Sequence, residues 1–185
     1  MSVEWILTLV LAGLLGWTIW AYNRLVAKRN RVATAWSDID VQLTRRHDLV
    51  PNLVKVVSAY ASHERDTLEG VTRLRSQALA TDSPARLGQI ENELEALLSR
   101  LLVLKENYPE LKASDNFQKL SEQLVEVEDH LQFARRFYNG AVRDLNIAIQ
   151  SFPDLVIARI FGFRPAEFYS AEAPQREAPA VAGLS

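Results

Sequence analysis

Residues 115–152 read DNFQKLSEQLVEVEDHLQFARRFYNGAVRDLNIAIQSF. Apolar side chains recur in this stretch at alternating intervals of three and four residues, a spacing that keeps one face of a helix against a partner. The positions that share this spacing are Phe117, Leu120, Leu124, Val127, Leu131, Ala134, Tyr138, Ala141, Leu145, Ala148 and Phe152. Ser114 and Asp115 can cap the start of the helix, and Pro153 can end it. The stretch therefore predicts one long helix with an unbroken apolar seam, as in helix bundles and coiled coils.

A shorter seam of the same kind lies upstream and runs from Leu87 to Tyr108. A cap followed by a proline, Ser83-Pro84, can open this helix, and Pro109 is expected to stop it. Downstream of the long seam, residues 153–169 (PDLVIARIFGFRPAEFY) are rich in large apolar side chains. They predict a short fourth helix that folds back on the others, because an apolar helix face must be covered.

The remaining seam extends from Trp36 to Ala78 and predicts a third long helix. Pro51 lies inside it, lacks a backbone N–H and clashes with the preceding turn, so we expect a kink or a short break at residues 48–52. Few glycines and prolines interrupt the periodic segments. The sequence therefore predicts an all-α protein with three long helices and a short fourth.

The N-terminal stretch from Trp5 to Tyr22, WILTLVLAGLLGWTIWAY, carries no charged residue. With its flanks it reaches the roughly 20 residues that cross a bilayer, and aromatic rings mark both of its ends. A cleaved signal peptide is the alternative, but a basic segment before the apolar run is missing and Trp-Ala-Tyr-Asn is a poor cleavage site. We predict a transmembrane anchor at 1–22, a helical domain at 23–169 and a disordered C-terminal tail at 170–185.

Charges that flank the apolar run predict its orientation. Glu4 is the charged side chain before it, whereas Arg24, Lys28, Arg29 and Arg31 follow it closely. Because basic residues stay on the cytoplasmic side, we expect a single-pass protein with its N-terminus outside and the helical domain in the cytoplasm. The same basic residues can contact the anionic headgroups of the bilayer.

Composition excludes two classes of function, thiol chemistry and nucleic-acid binding. The 185 residues include 48% hydrophobic side chains, enough for a core, and no cysteine, which excludes disulfides and thiolate chemistry. Lys and Arg number 21 against 23 Asp and Glu, for a net charge of -2. Such a balance gives no bulk positive field for nucleic acid, so we predict no nucleic-acid partner.

Each of the three histidines has a neighbouring carboxylate, in His47-Asp48, His63-Glu64 and Asp129-His130. None completes a metal motif: a zincin would need a histidine where Thr67 stands, and the Glu-x-x-His spacing of di-iron bundles is missing. A nucleophile elbow and a phosphate-binding glycine loop are also missing. We therefore predict no catalytic residue, no metal and no cofactor. A metal- or ligand-binding sensor that uses Glu122, Glu126 and His130, or His63 and Glu64, is the alternative.

Aromatic side chains are spaced for helix packing, and we assign them to the core. They are Trp36, Tyr60, Phe117, Phe133, Phe137, Tyr138 and Phe152.

Polar residues concentrate around the expected kink, and we take them as candidates for binding a protein partner. The set is Arg45, Arg46, Asp48, Asn52, His63 and Glu64. We favour intramolecular pairing of these groups over a binding site, because buried charges need partners. An example is Arg46, which lies on the apolar seam, with a carboxylate of the long 115–152 helix.

Three blocks resemble the LemA family of bacteria: YNRLVAKRNRVATAWSDIDVQLTRRHDLVPNLVKVVSAYASHE, ENELEALLSRLLVLKENYPELKASDNFQKL and ARRFYNGAVRDLNIAIQSFP. The resemblance covers essentially residues 5–169. It implies a single-pass inner-membrane protein with an antiparallel four-helix bundle on the cytoplasmic side, and it implies no established biochemical activity.

The leading hypothesis is a non-catalytic scaffold or adaptor at the inner membrane, with a protein partner of unknown identity. Self-assembly into a homo-oligomer is a further candidate, because a long seam serves an oligomer as well as a monomer.

Overall fold

The computed structural model describes residues 3–169, and these are helical, with no strand among them. The elements are α1 (Val3–Tyr60), α2 (Arg65–Leu79), α3 (Pro84–Val103) with a 3-10 turn at Leu104–Glu106, α4 (Pro109–Lys112), α5 (Asp115–Gln150) and α6 (Asp154–Ile160). The all-α prediction is confirmed. The expected tail at 170–185 lies outside the described residues.

The long seam forms α5 as predicted, and local capping explains where helices begin. The Ser114 hydroxyl accepts from the Phe117 N–H at 3.5 Å at the start of α5. The Ser83 hydroxyl accepts from the Arg86 N–H at 3.3 Å, with Pro84 in the first turn of α3. These contacts satisfy donors that a helix end leaves unpaired. The predicted short helix after Pro153 is also present, as α6.

The prediction of one helix through Ala78 is wrong, and of the kink or short break expected at residues 48–52 the break does not occur. Helix α1 continues past Pro51 to Tyr60, and the chain turns at residues 61–64 before α2 begins. The turn is closed by the Glu64 N–H, which donates to the Ala61 carbonyl at 3.1 Å. Helix α2 returns beside α1, where Arg75 bonds the His47 carbonyl, so tertiary contacts override the local pattern.

Pro109 also acts differently from the expectation. Helix α3 ends at Val103, and the 3-10 turn follows it. Pro109 then opens α4 rather than stopping α3. A fixed φ suits the first turn of a helix, where the missing N–H costs nothing.

The chain divides into two compact units. The first contains the described residues up to Thr44 together with Val127–Glu167. The second contains Arg45–Glu126 with Phe168 and Tyr169. Helices α1 and α5 each contribute residues to both.

The core of the first unit joins α1, α5 and α6. Its buried members are Ala21, Leu25, Leu145, Ala148, Ile149, Ile157 and Ala158. Farther along α1, the Trp36 ring lies 5.3 Å from the Tyr138 ring. Side chains of α5 form hydrogen bonds with the backbone of residues 164–167. The Asn146 amide accepts from the Ala166 N–H at 2.8 Å and donates to the Ala166 carbonyl at 2.9 Å, and the Tyr138 hydroxyl donates to the Glu167 carbonyl at 2.8 Å.

In the second unit, α2 packs on α3. Leu68, Val71 and Leu74 of α2 are buried, as are Ile90 and Leu94 of α3.

The assignment of all the aromatic residues to the core is wrong in part. Phe117 and Tyr138 are buried. Tyr60, Phe133, Phe137 and Phe152 are exposed, because helical spacing alone does not say how wide the covered face of a helix is.

The N-terminal part of α1 is long and apolar enough to cross a membrane. None of this apolar window is buried inside the protein, which distinguishes it from the core helix of a soluble protein. Leu7, Leu11 and Leu14 are all exposed. An apolar surface of this size and length is typical of a helix that a lipid bilayer covers.

Candidate functional site

The six candidate residues lie in two places. Arg45, Arg46, Asp48 and Asn52 belong to α1, and His63 and Glu64 belong to the turn between α1 and α2. All six fall in the second unit.

Arg46 is 2% exposed and forms an ion pair with Glu91, which is 0% exposed. The Arg46 Nη1 lies 3.0 Å from the Glu91 Oε2. The expectation that Arg46 pairs with a carboxylate of the 115–152 helix is therefore wrong, because Glu91 belongs to α3. Intramolecular pairing itself is confirmed.

His47 completes this buried cluster. Its Nε2 lies 2.7 Å from the Glu91 Oε1, and because a carboxylate can only accept, the ring nitrogen donates. Arg46 and His47, two consecutive residues of α1, therefore each donate a hydrogen bond to one oxygen of Glu91. We call Arg46, His47 and Glu91 the buried triad.

The buried triad keeps Glu91 ionised. Burial alone would raise the pKa of Glu91, but the His47 hydrogen bond and the positive charge of Arg46 outweigh it, so the pKa lies below the ordinary 4.5. Glu91 has no solvent access, and each of its oxygens already accepts a hydrogen bond. The arrangement stabilises contacts between α1 and α3 and suits a structural role.

A fourth residue of this region supports the backbone near the triad. The Arg75 Nε of α2 donates to the His47 carbonyl at 2.8 Å. In a helix, that carbonyl would accept from the N–H four residues later, and position 51 is a proline without an N–H. Arg75 therefore supplies the hydrogen bond that Pro51 cannot, which explains why α1 continues past Pro51.

Sequence reasoning missed Glu91, His47 and Arg75. Glu91 could have been found, because it lies four residues after Leu87 and three before Leu94, on the apolar stripe of α3. A charge at such a position predicts a buried partner. No comparable signal marks Arg75, whose role depends on where α2 lies.

The other candidate residues of α1 share an exposed face. Arg45, Asp48 and Asn52 are spaced by three and four residues and are all exposed. Arg45 reaches Glu126 of α5, with 3.6 Å between Nη2 and Oε1, and both side chains remain about half exposed. Such an exposed pair contributes little to stability. We call Arg45, Asp48 and Asn52 the polar face of α1.

His63 and Glu64 lie beside an open groove. His63 is exposed and Glu64 is half-buried at the start of α2, where its side chain makes no capping hydrogen bond. Ser62 and Arg65 line the groove, whose volume is about 550 Å³.

The alternative of a metal sensor gains no support from the geometry. Among residues 3–169 no group of three or more His, Asp or Glu side chains could hold a metal ion. Glu126 is paired with Arg45, and His130 lines a different groove, together with Asp38.

Three relatives resemble this chain over most of its length. It is 26% identical to the magnetosome protein MamQ 2 of Paramagnetospirillum magneticum and 24% identical to the magnetosome protein MamQ of Magnetospirillum gryphiswaldense, in each case over 86% of this chain and 68% of the relative. It is 27% identical to protein LemA of Metamycoplasma hominis, over 70% of this chain and 60% of that relative. The LemA family model matches residues 35–182. The match covers most of the chain outside the apolar N-terminal segment, and the protein is a member of the LemA family.

Proposed function

We propose that this protein is a non-catalytic adaptor in the bacterial inner membrane, in which residues 1–22 are the anchor and the helical domain presents a partner-binding face in the cytoplasm. The observation that carries the proposal is the apolar surface of α1, which lies outside any protein core and continues directly into a packed helix. Ala21 and Leu25, at the end of the apolar run, are buried between α5 and α6. An anchor built into the core in this way holds the first unit close to the bilayer.

Flanking charge supports the orientation. Arg24, Lys28 and Arg29 follow the span within two helical turns, against the single acidic Glu4 before it. The N-terminus is then outside and the rest of the chain is cytoplasmic.

Contacts within the first unit support an antiparallel arrangement of α1 and α5. Residues 21–25 of α1 meet residues 145–149 of α5, whereas Trp36 meets Tyr138. Residue numbers thus rise along one helix as they fall along the other, which suits the antiparallel four-helix bundle that the family resemblance implies.

The polar face of α1 is the proposed contact with a protein partner, with His63 and Glu64 as its extension. Its three side chains are exposed and carry both charges and an amide. Arg46 serves this face indirectly, because its burial in the triad fixes the rotation of α1. A polar, mixed-charge surface suits a specific and reversible protein contact.

Site-specific photo-crosslinking in cells tests the partner face. A photoreactive amino acid at Asp48 or Asn52 of the full chain is expected to yield one discrete heteromeric adduct, identified by mass spectrometry. Arg100, exposed near the end of α3, is the matched control position and should not yield it.

Two results would contradict the adaptor proposal. Adducts of equal pattern at Asp48 and Arg100 would show that the polar face is not selective. An adduct that joins two differently tagged copies of this chain would show self-assembly instead.

A further inference from the structure

Helix α6 has one covered face and one open apolar face. Asp154, Ile157 and Ala158 are buried against the first unit. Phe152, Val156 and Ile160 are 83%, 45% and 69% exposed. Val156 and Ile160, four residues apart at about 100° per residue, lie on the side of α6 opposite the buried face, and Phe152 lies in the turn just before the helix. An exposed apolar stripe on so short a helix indicates a binding surface.

The C-terminal end of α6 lies beside the end of the membrane span. The Phe161 ring, directly after α6, is 4.9 Å from the ring of Tyr22, where the apolar run ends. The Phe163 ring is 5.8 Å from the same tyrosine. Tyrosine at the end of a span lies at the level of the lipid headgroups. Helix α6 is therefore at that level too.

Two contacts hold α6 in this place. The Arg24 Nη1 forms a 3.2 Å ion pair with the Asp154 Oδ2. After the helix, Gly162 adopts a left-handed φ of 70°, and the Phe163 N–H donates to the Ala158 carbonyl at 2.9 Å. This closure is typical of helix ends and turns the chain back towards Tyr22.

Basic residues lie on α6, directly after it and just after the span. Arg159 of α6 and Arg164 after it are exposed, and Lys28 follows the span. Asp154 is the acidic residue of α6, and its charge is balanced by Arg24. Apolar side chains beside unpaired cations are the composition of helices that lie in the interface of an anionic membrane.

We propose that α6 is a second membrane contact, in which Phe152, Val156 and Ile160 insert into the headgroup region of the leaflet from which α1 emerges. A lipid surface is the occupant because the chain directly after α6 packs on Tyr22, at the end of the span that the bilayer covers, and because α6 carries an exposed basic residue beside its apolar ones. This inference rests on the anchor proposed above. It adds that the first unit is held at two points, which restricts its tilt and rotation relative to the membrane.

Depth measurement by spin labelling tests this contact in the full chain. The sequence has no cysteine, so single substitutions can be labelled uniquely. The labelled variants are V156C and I160C on α6, L11C in the span and F133C on α5. Phe133 is an exposed apolar residue of the same unit, about 18 Å along α5 from Leu145 and away from the span. The protein is reconstituted in vesicles of phosphatidylethanolamine and phosphatidylglycerol.

The expected result is a gradient of collision rates. Oxygen dissolves in lipid, whereas the second reagent, a nickel complex, is water-soluble. For the labels at 156 and 160, the ratio of the collision rate with oxygen to that with the nickel complex should be at least three times the ratio for the label at 133. The label at 11 should show the strongest preference for oxygen.

Other results separate the two proposals. An aqueous label at 160 with a lipid-buried label at 11 would overturn the α6 contact and leave the anchor. An aqueous label at 11 would overturn the anchor as well. A label at 160 that neither reagent reaches would show a protein covering α6 instead of lipid.

Discussion

At the scale of single residues, the hydrogen bond from Arg75 to the His47 carbonyl compensates for Pro51. Arg75→Met keeps the apolar stem and removes the donor, so a partly buried carbonyl loses its partner. We expect the free energy of unfolding to fall by about 1–2 kcal/mol. In a Pro51→Ala background the new N–H at position 51 can bond His47 itself, and the cost of Arg75→Met should fall by at least half.

Urea denaturation of the full chain in detergent, followed by far-UV circular dichroism, measures both steps of this cycle. Arg73→Met, at an exposed position of the same helix, is the control and should change stability by less than about 0.5 kcal/mol. Equal costs of Arg75→Met in the two backgrounds would show that Pro51 and Arg75 are not linked.

Removing the Glu91 carboxylate of the buried triad should lower the free energy of unfolding more than Arg75→Met does. Glu91→Gln removes the buried negative charge that pairs with both Arg46 and His47, and we expect a loss of about 3–5 kcal/mol. Glu93→Gln, exposed on the same helix, is the matched control and should be nearly neutral. The same denaturation measurement applies, and similar values for the two variants would contradict a structural role for Glu91.

Low pH should remove the stabilisation that the ionised Glu91 gives to the natural chain. Because the folded-state pKa of Glu91 lies below 4.5, its contribution is complete above that pH and is lost as the pH falls through the folded value. The stability gap between the natural chain and Glu91→Gln should therefore shrink as the pH falls from neutrality to about 3. A gap of constant size would show that ionisation of Glu91 does not stabilise the fold.

The sequence was informative about one of the three residues of this triad, Arg46. Arg46 falls on an apolar seam, which is enough to predict a buried, paired charge. Its partner could not be chosen from the sequence, because acidic residues on two other helices satisfy the same electrostatic requirement. Only the packing of α3 on α1 selects Glu91.

At the scale of helices, two glycines offer a paired test of packing. A Cβ at Gly140 of α5 would meet nothing within 4 Å, so Gly140→Ala should raise stability by about 0.5–1 kcal/mol through helix propensity alone. A Cβ at Gly70 of α2 would lie 2.8 Å from the Leu97 Cδ1 of α3. Leu97 must then rotate, and Gly70→Ala should gain less.

Thermal unfolding of the two variants side by side measures the difference. Equal gains would mean that α2 and α3 are not as closely packed at Gly70 as the structure has them. A loss at Gly140 would point to a contact that this position makes elsewhere.

Helix boundaries were predictable where capping chemistry is local. Ser83, Pro84 and Ser114 mark the starts of α3 and α5, and the structure uses all three. The turn at residues 61–64, Ala-Ser-His-Glu, contains neither glycine nor proline and carries no such signal. Pro51 predicts a break in α1, but the Arg75 side chain of α2 supplies the hydrogen bond to the His47 carbonyl that Pro51 cannot donate.

At the scale of the whole molecule, the distribution of charge around the span predicts which side of the membrane the chain occupies. The absence of cysteine again allows a direct measurement. Val3 and Val103 are both well exposed, the first before the apolar run and the second at the end of α3. In spheroplasts treated with a membrane-impermeant maleimide, Val3→Cys should be labelled at once and Val103→Cys only after permeabilisation.

The cause of the orientation can be tested in the same assay by changing the charges on the two sides of the span. Neutralising Lys28 and Arg31 while adding two lysines before Trp5 weakens the bias that keeps the basic end in the cytoplasm. We expect a mixed population, in which Val103→Cys becomes partly labelled from outside. Full protection of Val103 in this variant would mean that folding of the helical domain before insertion, rather than flanking charge, fixes the topology. Labelling of Val103 from outside in the unaltered flanks would reverse the proposed orientation and place the polar face of α1 on the outer side of the membrane.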